Sequence, residues 1–257
     1  MAKSEGGIGE TIKTVVWALL IAGVFRTLFF QPFWIPSESM KSTLLIGDFI
    51  FVNKMAYGYS RYSCPFGICP ISGRILGSAP QRGDVVVFRH PVNGADMIKR
   101  LIGLPGDKIQ MKQGVLYING AAAPQVPDGT FEEVFEPQGP MGNRPRCENA
   151  PNLGEICQKP RFIETLPEGK QHTVLNLEDG PGDTTDVYTV PEKHYFFMGD
   201  NRDNSLDSRF AQTSGGVGFV PEEYLIGRAD RVVFSSAGSR MLSFWTWRSD
   251  RSLKAIE

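Results

Sequence analysis

Hydrophobic residues crowd into one long run near the N-terminus and are afterwards dealt out in short, turn-bounded pieces. Residues 14–35 read TVVWALLIAGVFRTLFFQPFWI, with Arg26 the one charge. About 20 mostly apolar residues cross a hydrocarbon core as a helix, so this run is expected to be a transmembrane anchor. Arg26 can snorkel, and Trp17 and Trp34 lie near the two ends, where interfacial aromatics are favoured. A cleaved signal peptide would have a shorter apolar region closing on a small-x-small site. Here the run continues through Phe29, Phe30, Phe33 and Trp34 into Pro36. Lys3 and Lys13 precede it, and no Lys or Arg occupies 31–40. That bias makes residues 1–13 a tail on the inside and puts the bulk of the chain outside.

Beyond the run the pattern is that of strands. A β-rich stretch at 49–52 follows a Gly-Asp turn, and 59–80 is a loop rich in Gly, Pro, Ser and Cys. Strand signals at 84–88 and 96–102 are separated and followed by turns, and 109–118 holds two short strands around Gln113-Gly114. From 121 to 189 Pro, Gly, Asn and Glu blur the pattern; it returns at 187–190, 195–198 and 225–234, ahead of the aromatic tail Phe244-Trp245-Thr246-Trp247. Short strands at this spacing predict a mainly β chain, with an antiparallel, barrel-like sheet rather than βαβ units. The expected organisation is a main β domain over 36–120 and 190–257, with a smaller β subdomain with long loops inserted at 121–189. The aromatic tail either packs against the core edge or lies at a bilayer interface.

The 257 residues suffice for one large domain or two small ones. A net charge of −1, with scattered basic residues, argues against a nucleic-acid partner. The four cysteines form two close pairs, Cys64/Cys69 and Cys147/Cys157. Local disulfides in an oxidising compartment suit that spacing; free thiols and a zinc site are the alternatives, and zinc is disfavoured because neither pair is CxxC.

The chemistry starts from what is missing. His90, His172 and His194 have no nucleophile-like context, and G-x-S-x-G, H-E-x-x-H and the P-loop are absent. A serine enzyme would therefore need another base. A lysine serves once burial favours its neutral form. On a strand, Met97, Lys99 and Leu101 share one face, which gives Lys99 two apolar neighbours. Lys54, Lys108 and Lys112 alternate with polar residues or adjoin turns, and Lys41 has Lys-Ser-Thr surroundings that read as solvated. Ser37 and Ser39 flank Glu38 just past the apolar run, where helix capping is the plainer role. The dense polar run at 199–209 fails EF-hand spacing and reads as packed Asp–Arg pairs and Asx turns.

Four ordered segments together resemble the type I signal peptidases: PSESMKSTLLIGDFIFVNK, RGDVVVF, MIKRLIGLPGD and GDNRDNSLDSR. The resemblance implies a membrane-anchored endopeptidase that removes signal peptides, with Ser39 as nucleophile and Lys99 as general base. Ser205 would orient Lys99, and the Ser39 N–H and the Ser37 hydroxyl would form the oxyanion hole. Asp207 would pair with Arg209, and Arg100 and Asp200 would give structural support. Substrate residues would bind against Phe33, Ile35, Pro36, Met40, Leu44, Ile50, Val87, Asp96, Met97 and Ile98. No metal or cofactor is implied. The implied partners are preproteins with small residues at −1 and −3, the lipid bilayer and the export machinery. The implied location is the bacterial inner membrane, with the catalytic domain on the extracytoplasmic side. Glu38 and Ser42 depart from the family's frequent Gly and Pro. The rivals are a pilus-processing Ser/Lys protease and an inactive tethered β-domain that only binds.

Overall fold

In the computed structural model, described over residues 7–64, 67–139, 142–238 and 243–257, strands dominate. The expected mainly antiparallel β architecture is present. Seven strands form the main sheet: β1 (Phe30–Trp34), β2 (Asp48–Asn53), β5 (Val85–Arg89), β6 (Asp96–Gly103), β14 (His194–Met198), β15 (Val220–Pro221) and β16 (Leu225–Ser235). Their spatial order is β1-β2-β16-β5-β6-β14-β15.

The sequence of β5, VVVFR, explains why it lies in the middle. Val85 and Val87 enter one hydrophobic cluster with Ile35, Met40, Leu44 and Ile50, while Val86 and Phe88 enter another with Leu101, Phe197 and Leu225. Period-two alternation thus buries both faces of a curled sheet. The same rule holds on β6, where Met97 and Leu101 join the second cluster and Ile98 packs against the first.

The apolar run does not form a single element. Helix α1 spans Ile8–Leu28, with none of its residues buried; Phe29 follows, and Phe30–Trp34 is strand β1, paired with β2 from Phe30↔Asn53 to Trp34↔Phe49. The helix expected over 14–35 therefore starts and stops earlier. Pro32 has no N–H to give a helix and tolerates an edge strand. The joint between helix and strand is tight, because the Lys54 amide donates to the Phe29 carbonyl (2.9 Å) and the Tyr59 hydroxyl to that of Leu28 (2.8 Å).

Two short strands between β2 and β5, β3 (Tyr59–Ser60) and β4 (Arg74–Ile75), pair with each other, and two smaller sheets lie between β6 and β14. One joins β7 (Lys108–Lys112), β8 (Val115–Ile118), β9 (Ala121–Ala122) and β13 (Tyr188–Thr189), so it runs across the boundary expected at 120/121. The other is an insert of β10 (Gln125–Val134), β11 (Ile156–Thr165) and β12 (Gln171–Leu175). Cysteines pair locally, Cys64 with Cys69 and Cys147 with Cys157, at Cα separations of 5.4 and 5.2 Å.

Candidate active site

Ser39 sits in the turn that follows β1. Its carbonyl accepts from the Asn201 amide (3.1 Å), and the Asn201 side chain donates to the Glu38 carbonyl (3.1 Å). Asn201 thereby ties the serine turn to the polar 199–209 loop. Lys99 reaches the same place from β6, where it pairs with Val86 on β5. Its Nζ lies 2.6 Å from Ser39 Oγ and donates to the Ile98 carbonyl at 3.0 Å. With the amine neutral, the same Nζ–Oγ separation lets the serine hydroxyl donate to nitrogen, the geometry a general base requires.

Electrostatics favour that neutral form. Lys99 is 3% exposed, and burial lowers its pKa from 10.5 to about 8 against the opposing pull of Asp207 and Asp200. Both carboxylates are occupied elsewhere. Asp200 takes Arg100 Nε and Nη2 at 2.8 and 2.7 Å and the Thr43 hydroxyl at 2.6 Å. Asp207 takes Arg209 Nε and Nη2 at 2.9 and 3.0 Å and the Gly199 amide at 3.0 Å. Burial pushes Asp207 up, but Arg209 and the Gly199 amide together hold it below its ordinary range.

Ser205 is buried in the same cavity; Lys99 bonds to Ser39 and the Ile98 carbonyl, and the Ser205 hydroxyl has no hydrogen-bond partner among the described residues. Close packing fixes it there: a Cβ added to Gly199 would fall within 2.5 Å of the Ser39 carbonyl oxygen and closer still to Ser205 Oγ. Gly199→Ala is therefore expected to displace both serines and lower the turnover rate about a hundredfold, since small misplacements near reacting atoms cost that much. Steady-state cleavage assays on the folded variant read this directly, and wild-type turnover would contradict it.

A cavity of about 600 Å³ opens over the pair, lined by Ser37, Ser39, Met97 and Lys99 together with residues such as Gly180, Pro181, Gly182, Asn204, Leu206 and Phe210. Among the ten residues expected to bind substrate, Met97 alone lines it. Ile35, Met40, Leu44, Ile50 and Val87 are packed into a closed core cluster, against which Phe33 and Ile98 lie. Pro36 is exposed, and Asp96 is half-exposed and paired with Arg89 at 2.6 Å. The rest of the lining comes from loops whose sequence carries no strand or motif signal, apart from the 199–209 run.

Two lysines read from sequence as solvated or turn-adjoining are buried. Lys41 lies among Glu38, Glu133 and Gln138 (3.1, 2.6 and 2.9 Å). Lys54 is lowered to about 8, by burial first and then by Arg26, just as Lys99 is by burial. Among the described residues its Nζ bonds only to the Ser63 carbonyl (2.5 Å), with no hydroxyl to activate. A lowered lysine pKa is thus shared by two sites, and the nearby nucleophile singles out Lys99. His90 accepts the Val92 amide (3.1 Å) and His194 contacts the Glu192 carbonyl (2.8 Å), both away from the cavity. No cluster of metal-ligating side chains occurs among the described residues.

With this geometry in hand, similarity to known proteins is informative. The family described as "Signal peptidase, peptidase S26" matches residues 8–234. The chain is 38% identical over 245 residues to a signal peptidase I of Rickettsia typhi and 41% identical over 244 residues to one of Rickettsia prowazekii, covering 91% of this chain and 83% of the relative in each case. A solved signal peptidase I from Enterococcus faecalis V583 is 27% identical, with a TM-score of 0.30, over 59% of this chain and 97% of that one.

Proposed function

Because the chain belongs to the signal peptidase I family, and is accordingly a signal peptide-removing hydrolase, we propose that it cuts by a Ser39/Lys99 dyad while held to the membrane by helix α1. The single observation that carries this reading is the 2.6 Å contact between an amine drawn down to about 8 and one hydroxyl. Lys99 takes the Ser39 proton as Oγ attacks the scissile carbonyl, returns it to the leaving amine, and then activates the water that releases the acyl-enzyme. The Ser39 amide and the Ser37 hydroxyl stabilise the tetrahedral oxyanion, a pair worth a few kcal/mol. Among the described residues the Ser39 amide has no acceptor, which leaves it free for that task. Substrates are exported preproteins with small residues at −1 and −3, delivered by the export machinery and bound as an extended strand. Ser205, buried in the same cavity, orients the Lys99 amine. The N-terminus lies inside and the β domain on the outer face of a bacterial inner membrane, where disulfides persist.

The test is to incubate the full chain in detergent with a preprotein whose signal peptide ends in Ala-x-Ala. A mature product beginning directly after the second Ala is expected. The working form of Lys99 is neutral, so the rate should rise with pH through a midpoint near 8 and fade below it. No cleavage at any pH would leave a binding module as the better reading. A rate that climbs only near pH 10 would retain the peptidase and remove the buried-lysine mechanism.

A further inference from the structure

Two lysines and two glutamates that the dyad chemistry does not use form a closed ring beside the nucleophile. Lys41 Nζ donates to Glu38 Oε2 (3.1 Å) and Glu133 Oε2 (2.6 Å); Lys159 Nζ lies 2.7 Å from Glu133 Oε1 and 3.4 Å from Glu38 Oε2. Both lysine side chains are at most 1% exposed, and the two carboxylates are 11 and 12% exposed. Burial pushes the Glu133 carboxyl up, but Lys41 and Lys159 outweigh it and hold the group below its ordinary range. Two opposite pairs make the ring neutral overall, which is how four such charges can be buried together.

The position of the ring gives it a task. Glu38 separates Ser37 from Ser39, and Lys41 lies two residues beyond Ser39, so both ring members on this side belong to the serine turn itself. Glu133 and Lys159 face each other across the insert, on β10 and β11, where Phe131↔Lys159 and Glu133↔Cys157 are in register. Glu38 is also held by the side-chain amide of Asn204, another residue of the cavity lining. The three-stranded insert is therefore fastened by charge to the backbone that carries the nucleophile.

We propose that Glu38, Lys41, Glu133 and Lys159 are positioning residues through which the inserted subdomain sets the orientation of Ser37 and Ser39. This rests on the peptidase reading of the site. None of the four touches the reacting atoms. They fix the Glu38–Lys41 turn, and with it the angle at which Oγ meets Lys99 and the amide meets the oxyanion.

The deciding variant is the double substitution Glu133→Gln with Lys159→Met, which removes one opposite pair and leaves Glu38 and Lys41 to neutralise each other. Thermal unfolding of the full chain in detergent verifies that it folds, and Lys159→Arg is the conservative control that keeps the charge. Cleavage of the Ala-x-Ala preprotein should show a kcat lower by roughly tenfold to a hundredfold with KM within about twofold, because orientation acts on the chemical step. The pH midpoint should stay at the wild-type value, and Lys159→Arg should recover most of the rate. A folded double variant with wild-type kcat overturns the proposal and leaves the ring a stabilising feature alone. A failure of the peptidase reading looks different, since wild type then cuts nothing.

Discussion

Lys99→Met is expected to lower preprotein cleavage by about 10⁴-fold or more and, at neutral pH, to make the chain more stable. The loss follows because, among the described residues, Lys99 is the one base bonded to the Ser39 hydroxyl, and removing one member of such a unit forfeits most of its catalysis. The gain follows from linkage. Burial drops the amine from 10.5 to about 8, so below pH 8 the folded chain holds a proton that its surroundings oppose. Each unit of such a shift is worth 1.36 kcal/mol, and with some loss from the orphaned Ser39 hydroxyl the net gain is about 1–3 kcal/mol. The sign fixes the window: the penalty is complete below the folded value, shrinks as the folded amine deprotonates while the unfolded one stays charged, and is gone above 10.5. Denaturant melts of both proteins at pH 7 and pH 10.5 read it. A variant that is equally inactive but no more stable at pH 7 would show that the amine carries no burial penalty.

Glu164→Gln should destabilise the chain by about 3–5 kcal/mol, a large share of the 5–15 kcal/mol typical of a folded domain. Glu164 on β11 receives Arg202 Nη1 and Nη2 at 2.9 and 2.6 Å, with both side chains at most 1% exposed. Neutralising the carboxylate strands a guanidinium in the interior. Burial pushes the Glu164 carboxyl up, but Arg202 and His172 overcome it and hold the group well below the carboxylate range. A folded-state value under the unfolded one means stabilisation that is complete above about pH 4.3 and lost as pH falls beneath it. Chemical denaturation at pH 7 and pH 3 reads both effects. The double variant Glu164→Met, Arg202→Met should recover much of the loss at pH 7, as replacement of a whole buried pair often does. A single variant within 1 kcal/mol of wild type would mean that the pair is not closed in solution.

The contact between Ser39 and Lys99 was legible because both residues stand in long ordered segments, and β5 because VVVFR alternates between two cores. What misled was burial, which neighbours in sequence do not determine. Lys41 is enclosed by Glu133, 92 positions away, and no local pattern announces that contact. Strands β10 and β11 were hidden because their polar residues, Glu133, Lys159 and Glu164 among them, turn inward to ion pairs instead of alternating with apolar ones. Aromatic residues at 29–34 suit either a helix in lipid or a strand on a sheet, and composition does not separate the two. The apolar residues expected to line the substrate cleft were the right type for a pocket. They are equally the right type for a core, and the fold packs five of them, Ile35, Met40, Leu44, Ile50 and Val87, into one.

One residue, Phe29, is all that intervenes between α1 and β1, and hydrogen bonds to its carbonyl and to that of Leu28 leave the junction no slack. With α1 embedded in a bilayer, the sheet becomes a rigid bracket and Ser39 stands at a constant height above the lipid. Such a bracket works as a ruler: a peptide bond is cut where it rises to that level, whatever the length of the segment that brings it there.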